Sequence, residues 1–285
     1  MKLEDLKGKT VGVCVSGGLD STLALIVTVK AMQLLNRPLT DILAVTMPCF
    51  GTTKRTHSNS EILCNLLGVD FKEVDITKSV KQHFDDIGQN ENDFDVTYEN
   101  SQARERTQVI MDIANKQGGL VIGTGDLSEL ALGWATYNGD HMSMYAVNAG
   151  VPKTFIRHIV NFVAQNSEDD LKNVLLDILA TPVSPELLPA DDKGEIAQKT
   201  EDLVGPYELH DFFIYYTVRY GFSPKKIFRL ANIAFNNKYD ETILKKWLAV
   251  FAKRFVTQQF KRSCLPDGIA VGSVGVGQKI RNRLL

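Results

Sequence analysis

Short apolar runs alternate with amphipathic segments through the first half of the chain. The runs are rich in Val, Ile and Leu and are bounded by Gly, Pro or polar residues, which is typical of buried strands. They predict strands at residues 11–15, 42–47, 71–76 and 120–122. Between them, apolar residues recur at helical spacing. These segments predict helices at residues 20–35, 58–67 and 98–117, and a further helix that follows the third strand and ends at about residue 87.

The alternation predicts an α/β fold, a doubly wound parallel sheet with helices on both faces. Right-handed crossovers place the loops that follow the strands at one edge of such a sheet, where its ligands bind. We therefore expect three polar loops, at residues 16–21, 48–58 and 124–129, to meet there.

Helical patterns dominate the second half of the chain, beyond about residue 139. Helices are predicted at residues 154–165, 169–180, 206–220, 224–236 and 241–259. No internal repeat or linker separates an independent unit, so we expect one domain over residues 1–285 with a helical C-terminal half. The tail, residues 268–285, begins with a Gly/Val-rich stretch without periodicity and is expected to be mobile or draped over the fold.

Composition narrows the class of protein. The 285 residues are 44% hydrophobic and 23% charged, with a formal net charge of −2, which excludes a disordered chain and argues against nucleic-acid and polybasic membrane partners. No apolar stretch approaches the roughly 18 residues of a membrane span, and the acidic, polar start does not resemble a secretory signal. We expect a cytoplasmic protein. The four cysteines are scattered, which argues against a disulfide framework or a zinc site.

The loop at residues 16–21 reads S-G-G-L-D-S and joins a predicted strand to a predicted helix. Because Gly17 and Gly18 lack Cβ atoms, backbone N–H groups can approach an anion at the positive end of the helix dipole. Asp20 would repel a phosphate unless a cation such as Mg²⁺ lay between them. The plain alternative is an ordinary strand–helix turn.

This loop lacks the G-K-[ST] of a Walker A motif and resembles the pyrophosphate loop of the N-type ATP pyrophosphatases. The segment at 123–140, G-T-G-D-L-S-E-L-A-L-G-W-A-T-Y-N-G-D, resembles the signature of the NAD synthetase family. Matching segments occur at residues 100–106, 151–154, 184–187 and 260–262. The resemblance covers roughly residues 8–268 and is closest to the synthetase domain of the glutamine-dependent enzymes. It implies an adenine-nucleotide α-hydrolase-like fold.

The resemblance also implies roles for individual residues. Asp20 and Glu129 would hold Mg²⁺, and Asp20 and Lys153 would be catalytic, with Lys153 reaching the phosphates. The implied ATP-binding residues are Ser16, Gly17, Gly18, Asp20, Ser21, Thr124, Lys153 and Ser184. The implied substrate-binding residues are Arg104, Asp140 and Lys261. The alternatives are a first-turn role for Glu129, solvated Lys153 and Lys261, and a turn-forming Asp140.

The implied reaction is that of a carbon–nitrogen ligase. The carboxylate of deamido-NAD attacks the α-phosphorus of ATP, giving an acyl adenylate and pyrophosphate, and ammonia then displaces AMP to give NAD. Because the adenylate hydrolyses in water, we expect the loop at 51–59 to close as a lid, with Arg55 near the phosphates. The family also implies a homodimer or a higher homo-oligomer.

Two departures from the family pattern leave alternatives open. The chain begins a few residues before its first predicted strand, so the N-terminal glutaminase of the glutamine-dependent enzymes is expected to be absent from it. Three alternatives follow: the chain uses free ammonia, it needs a separate glutaminase, or it is a portion of a larger protein. The tail after Gly268 also diverges. The rival interpretations are another pyrophosphatase-type adenylating enzyme, such as one acting on tRNA, and a non-catalytic nucleotide-binding protein on the same fold.

Overall fold

A parallel five-stranded sheet lies at the centre of the computed structural model, which describes residues 11–52, 54–181, 187–188 and 200–277. Its strands are β1 (Val11–Cys14), β2 (Ile42–Thr46), β3 (Asp70–Glu73), β4 (Leu120–Gly123) and β5 (Tyr145–Ala146). Their order is β3-β2-β1-β4-β5. Strands β2 and β3 lie on one side of β1, and β4 and β5 lie on the other, so the order in which strands are added reverses between β1 and β4. A reversal of this kind opens a crevice at the carboxyl ends of the two strands.

Helices cover both faces of the sheet. Those up to β5 are α1 (Leu19–Leu34), α2 (Lys54–Leu67), α3 (Thr77–Ile87), α4 (Val96–Gln117) and α5 (Leu127–Leu132). The later ones are α6 (Lys153–Gln165), α7 (Asp169–Ala180), α8 (Thr200–Val204), α9 (Tyr207–Ile214), α10 (Pro224–Ala234), α11 (Glu241–Thr257) and α12 (Gln259–Arg262). The predicted doubly wound α/β architecture is confirmed.

Alternate residues of the strands enter two different cores. In β2, Ile42 and Ala44 pack with α1, α6 and α7, whereas Leu43 and Val45 pack with α3 and α4. Successive strand side chains point to opposite faces, so a strand covered on both sides must be apolar at nearly every position. This is why the strand signals are unbroken apolar runs.

A separate core holds the helical second half together. Buried residues of α5, α9, α10 and α11 form it, including Leu132, Phe213, Ile227 and Phe251. Part of the tail belongs to it as well, since Val276 is buried there and the backbone N–H of Ala146 donates to Asp267 O at 2.8 Å. The described tail residues are therefore draped over the fold. Within the described residues, no helix is long and apolar enough to cross a membrane.

Several predicted boundaries were wrong. Helix α2 begins at Lys54, four residues before the predicted start, so half of the presumed polar loop is helical. The helix predicted over 206–220 ends at Ile214 and continues as a π-helical turn, Tyr215–Arg219. The predicted helix at 241–259 divides into α11 and α12, and strand β5, only two residues long, was missed.

His210 is a buried neutral histidine within the helical core. Its Nε2 lies 2.6 Å from the carbonyl oxygen of Val204, so Nε2 carries the proton, and its Nδ1 is buried with no hydrogen-bond partner among the described residues. Burial lowers the pKa of His210 to about 4, against an ordinary value of 6.5. The unfolded chain therefore binds one proton more than the folded chain between these values.

We expect the His210→Gln variant to lose part of the acid sensitivity of the wild type. The contribution of neutral His210 to the free energy of unfolding is complete above pH 6.5 and is lost as the pH falls towards 4. Between pH 7.5 and pH 5 the loss amounts to about 2 kcal/mol. Urea unfolding at both pH values measures it, and His158→Gln, at an exposed position, is the control that should keep the wild-type slope. An unchanged slope in His210→Gln would contradict the assignment.

Candidate active site

The glycine loop between β1 and α1 packs tightly against the start of α2. Gly17 has a φ of +81°, and a Cβ there would lie 2.2 Å from the carbonyl oxygen of Thr56. Ser21 Oγ donates to Gly18 O at 3.0 Å and accepts from Ser16 N at 3.3 Å. Gly18, the N-cap of α1, offers the helix no side-chain cap, so the helix terminus remains suited to an anion.

A buried lysine and three carboxylates lie beside this loop. Lys153, the first residue of α6, is 1% exposed. Its Nζ lies 2.5 Å from Asp20 Oδ2, 2.6 Å from Asp126 Oδ2 and 2.7 Å from Glu129 Oε1. We call Asp20, Asp126 and Glu129 the carboxylate cluster. Their ligand oxygens all lie within 4.8 Å of one another, a spacing that a single metal ion can bridge.

The charges of this group depend on one another. Burial raises the pKa of Asp20 to about 6, although the ammonium of Lys153 opposes the shift. Burial likewise raises the pKa of Glu129 well above its usual range. Burial alone lowers the pKa of Lys153, but the charges of the three carboxylates outweigh it and raise that pKa well above its ordinary value. Lys153 therefore stays protonated.

Helix termini and backbone contacts fix the cluster in place. Asp126 is the N-cap of α5, where its Oδ1 accepts from the N–H groups of Ser128 and Glu129 at 2.7 and 2.9 Å, which turns Oδ2 towards Lys153. The amide of Asn148 donates to the carbonyl oxygens of Asp20 and Thr124 at 2.9 and 3.0 Å and so joins two loops of the site.

A second set of contacts holds the starts of α5 and α6 together. Ser128 Oγ accepts from the N–H of Lys153 at 2.8 Å and donates to Asp211, which also accepts from the backbone and hydroxyl of Thr154. Asp126, Asn148 and Asp211 were not among the residues predicted from the sequence. The D-x-x-E spacing at 126–129 is the capping pattern that could have revealed Asp126.

A cavity of about 530 Å³ opens at the carboxyl edge of the sheet, where the three loops were expected to meet. The predicted residues that line it are Ser16, Gly18, Asp20, Ser21, Thr124, Glu129, Asp140 and Lys261. Lys153 contacts the cluster without lining the cavity, and Gly17 faces α2. Thr52 represents the second loop in the lining. The expected convergence is confirmed, while Ser184 lies outside the described residues.

Two predicted arginines lie elsewhere. Arg104 is exposed, does not line the cavity, and donates from Nε to Tyr137 O at 3.3 Å. Arg55, expected near the phosphates, pairs instead with Asp177 of α7, with Nη2 2.5 Å from Oδ1. Asn59 donates to the same carboxylate at 2.7 Å, so the expected lid segment is helical from Lys54 onwards and is attached there to α7. Arg106, two residues beyond Arg104, does line the cavity.

The profile of the family described as NAD synthase matches residues 1–219. The chain belongs to the NAD synthase family. A glutamine-dependent NAD(+) synthetase from Mycobacterium leprae is 43% identical over 298 aligned positions, which cover 96% of this chain and 44% of that protein. The chain thus spans less than half the length of this curated relative.

Solved structures share the fold. A glutamine-dependent NAD(+) synthetase from Cytophaga hutchinsonii superimposes with a TM-score of 0.74 at 19% identity, over 95% of this chain and 49% of that one. NMN synthetase from Francisella tularensis gives a TM-score of 0.62 at 17% identity, over 90% and 89%. The family resemblance read from the signature segments is confirmed, as is the fold that it implied.

We expect Gly17→Ala to destabilise the protein more than Gly68→Ala. Both glycines have a left-handed φ, +81° and +70°, which costs an alanine about 1 kcal/mol. Only at Gly17 would the new Cβ collide with backbone, at the carbonyl of Thr56, whereas a Cβ on Gly68 would have no atom of the described residues within 4 Å apart from its chain neighbours. The collision should add roughly 1–3 kcal/mol to the loss in free energy of unfolding, measured by urea titration. Equal losses would show that the loop does not pack on α2.

Proposed function

We propose that this chain catalyses the ATP-dependent amidation of deamido-NAD to NAD, through an acyl adenylate, with release of AMP and pyrophosphate. The observation that carries the proposal is the carboxylate cluster with its buried lysine beside a glycine-lined helix N-terminus, all at one cavity. Family membership supports the same reaction. The ammonia is free or comes from glutamine through a glutaminase outside this chain.

The donor set suits Mg²⁺. Three carboxylates facing one ammonium leave two formal negative charges uncompensated, and Asp20 Oδ1 is buried with no hydrogen-bond partner among the described residues. Hard oxygen ligands of this kind are those that Mg²⁺ prefers. Asp20 and Glu129 would hold the ion, with Asp126 as a third donor. Bound there, Mg²⁺ would neutralise the charge of the departing pyrophosphate.

The residues of the chain would then position the reactants. The glycine loop receives the phosphates at the N-terminus of α1, and Lys153 keeps the carboxylates from repelling one another before the nucleotide arrives. A carboxylate oxygen of deamido-NAD attacks the α-phosphorus, and the bond to the pyrophosphate oxygen breaks. Ammonia next attacks the acyl carbon, AMP leaves and one proton is lost. Orientation and charge compensation supply most of the catalysis in such steps.

The family also implies an oligomeric state and residues that contact ATP and deamido-NAD. We propose that the chain forms a homodimer or a higher homo-oligomer. Thr124 and Ser184 would contact ATP, and Arg104, Asp140 and Lys261 would contact deamido-NAD. Of these substrate-binding residues, Asp140 and Lys261 support the proposal by lining the cavity.

Isotope exchange between ATP and pyrophosphate tests the reaction. The assay contains Mg²⁺ and no ammonia, so only the adenylation step can take place. Because that step is reversible, we expect exchange that depends on deamido-NAD. A non-catalytic nucleotide-binding protein would show ATP binding and no exchange. An enzyme that adenylates a different acid would show none with deamido-NAD, so either result contradicts the proposal.

We expect Asp20→Asn to lower the exchange rate by about 10²–10³-fold, because the amide removes a charge from the metal-binding set. The fold should persist, since the side chain lies at the cavity and outside the hydrophobic cores. Asp112→Asn, an exposed carboxylate on α4, is the matched control and should exchange at the wild-type rate. A near-normal rate in Asp20→Asn would remove Asp20 from the proposed metal site.

A further inference from the structure

Three cations line the cavity without an ion pair to a carboxylate in the described part of the chain: Arg106, Arg254 and Lys261. Each donates to backbone carbonyls instead. Arg106 Nε lies 3.0 Å from Met47 O, and Lys261 Nζ lies 2.9 Å from Gly133 O and 2.6 Å from Ala135 O. Carbonyl groups hold a cation in place but leave its net charge uncompensated.

Burial raises the pKa of Asp140 in the same cavity, and the charges of Lys261 and Arg106 oppose that shift, so Asp140 compensates these two cations in part. No carboxylate of the described residues acts on Arg254 in this way. Because a charged group in a partly enclosed site normally has a counter-ion, an anionic ligand is the missing partner of Arg254.

Arg254 is held by two backbone carbonyls and an aromatic ring. Its Nε donates to Leu132 O at 3.0 Å, Nη2 reaches Gly133 O at 3.5 Å, and the guanidinium carbon lies 5.2 Å from the centre of the Trp134 ring. No hydrogen-bond partner of Nη1 is found in the described residues. A planar guanidinium with an open edge is suited to a carboxylate.

Helix α5 sets the distance between these cations and the carboxylate cluster. Glu129 lies in the first turn of α5, and the carbonyls that hold Arg254 and Lys261 belong to its C-terminal end, Leu132 and Gly133. From Glu129 to Gly133 the helix advances by about 6 Å, at about 1.5 Å per residue. An anion bound at the C-terminal end of α5 would therefore lie about 6 Å along the helix axis from Glu129 of the carboxylate cluster. Acids at the start of a helix and bases at its end also agree with the helix dipole.

We propose that Arg254 is a specificity-determining residue: with Lys261 it binds the carboxylate of the substrate and so selects the acid over the amide product. The inference rests on the proposed function and extends it. Deamido-NAD carries a negatively charged carboxylate where NAD carries a neutral amide. A cation without another counter-ion favours the acid, and amidation removes the charge that it binds. The same contact would aim the carboxylate oxygens towards the α-phosphorus and then release the product.

Binding measurements on the intact chain test this inference. Titration calorimetry would give the dissociation constants of deamido-NAD, NAD and ATP for the wild type, Arg254→Met and Arg254→Lys. Lys253→Met is the matched control, because it removes a positive charge from the adjacent, exposed position of α11. Thermal unfolding of each variant shows whether it is folded, and Arg254→Lys keeps the test open if Arg254→Met is not.

We expect Arg254→Met to bind deamido-NAD at least about tenfold more weakly while its affinities for NAD and ATP change by less than about threefold. Arg254→Lys should keep more of the preference for the acid, and Lys253→Met should keep all of it. An equal loss for deamido-NAD and NAD, a loss confined to ATP, or no loss at all would overturn the inference. If the wild type binds no deamido-NAD, the proposed function itself fails, which separates the two outcomes.

Discussion

The ion cluster around Lys153 is the constraint on which the rest of the site depends. Three carboxylates from two loops come within hydrogen-bonding distance of one buried ammonium, and none of the four could be buried alone without a large desolvation cost. Lys153 reaches the three carboxylates because the first residues of α6 lie next to the first residues of α5. The contacts of Ser128 and Asp211, and the amide of Asn148, are what keep these starting points together.

The sheet places this cluster where a nucleotide can reach it. Asp20 follows β1, and Asp126 and Glu129 follow β4, the two strands between which the sheet order reverses. The helical second half then closes the other side of the cavity through Arg254 and Lys261, which contact the end of α5. Acidic groups thus lie at the start of α5 and basic groups contact its end, while the apolar residues of this short helix, from Leu127 to Leu132, belong to the helical core.

Local sequence patterns were sufficient for the sheet, the glycine loop and the acidic part of the cavity lining. The strand signals were strong because β1, β2 and β4 are buried on both faces, and Glu129 was correctly placed at a helix start. Strand β5 was not predicted because a strand of two residues is too short to show a periodic pattern. The early start of α2 was hidden by its polar first turn, where Arg55 and Asn59 are held by Asp177, more than a hundred residues away in sequence.

The partners of side chains were harder to predict than their positions. Lys153 was expected to point at phosphates, and instead its ammonium contacts carboxylates, because those charges approach it only when the chain is folded. Asn148 and Asp211 carry no local signal, since their roles come entirely from tertiary contacts. The roles of the site residues in catalysis and binding, and the oligomeric state, stay predictions.

The two borders of the sheet differ in how they limit the addition of a foreign strand. At one border, β3 presents Asp70, Lys72 and Glu73 to solvent, and such charges discourage a foreign strand from pairing. At the other, β5 is only two residues long, and the tail lies alongside it through the pairing of Ala146 with Gly268. The described part of the tail thus covers the outer edge of β5 with its backbone. Gly268 cannot vary there, because a Cβ at this position would lie 2.3 Å from the carbonyl oxygen of Ala146.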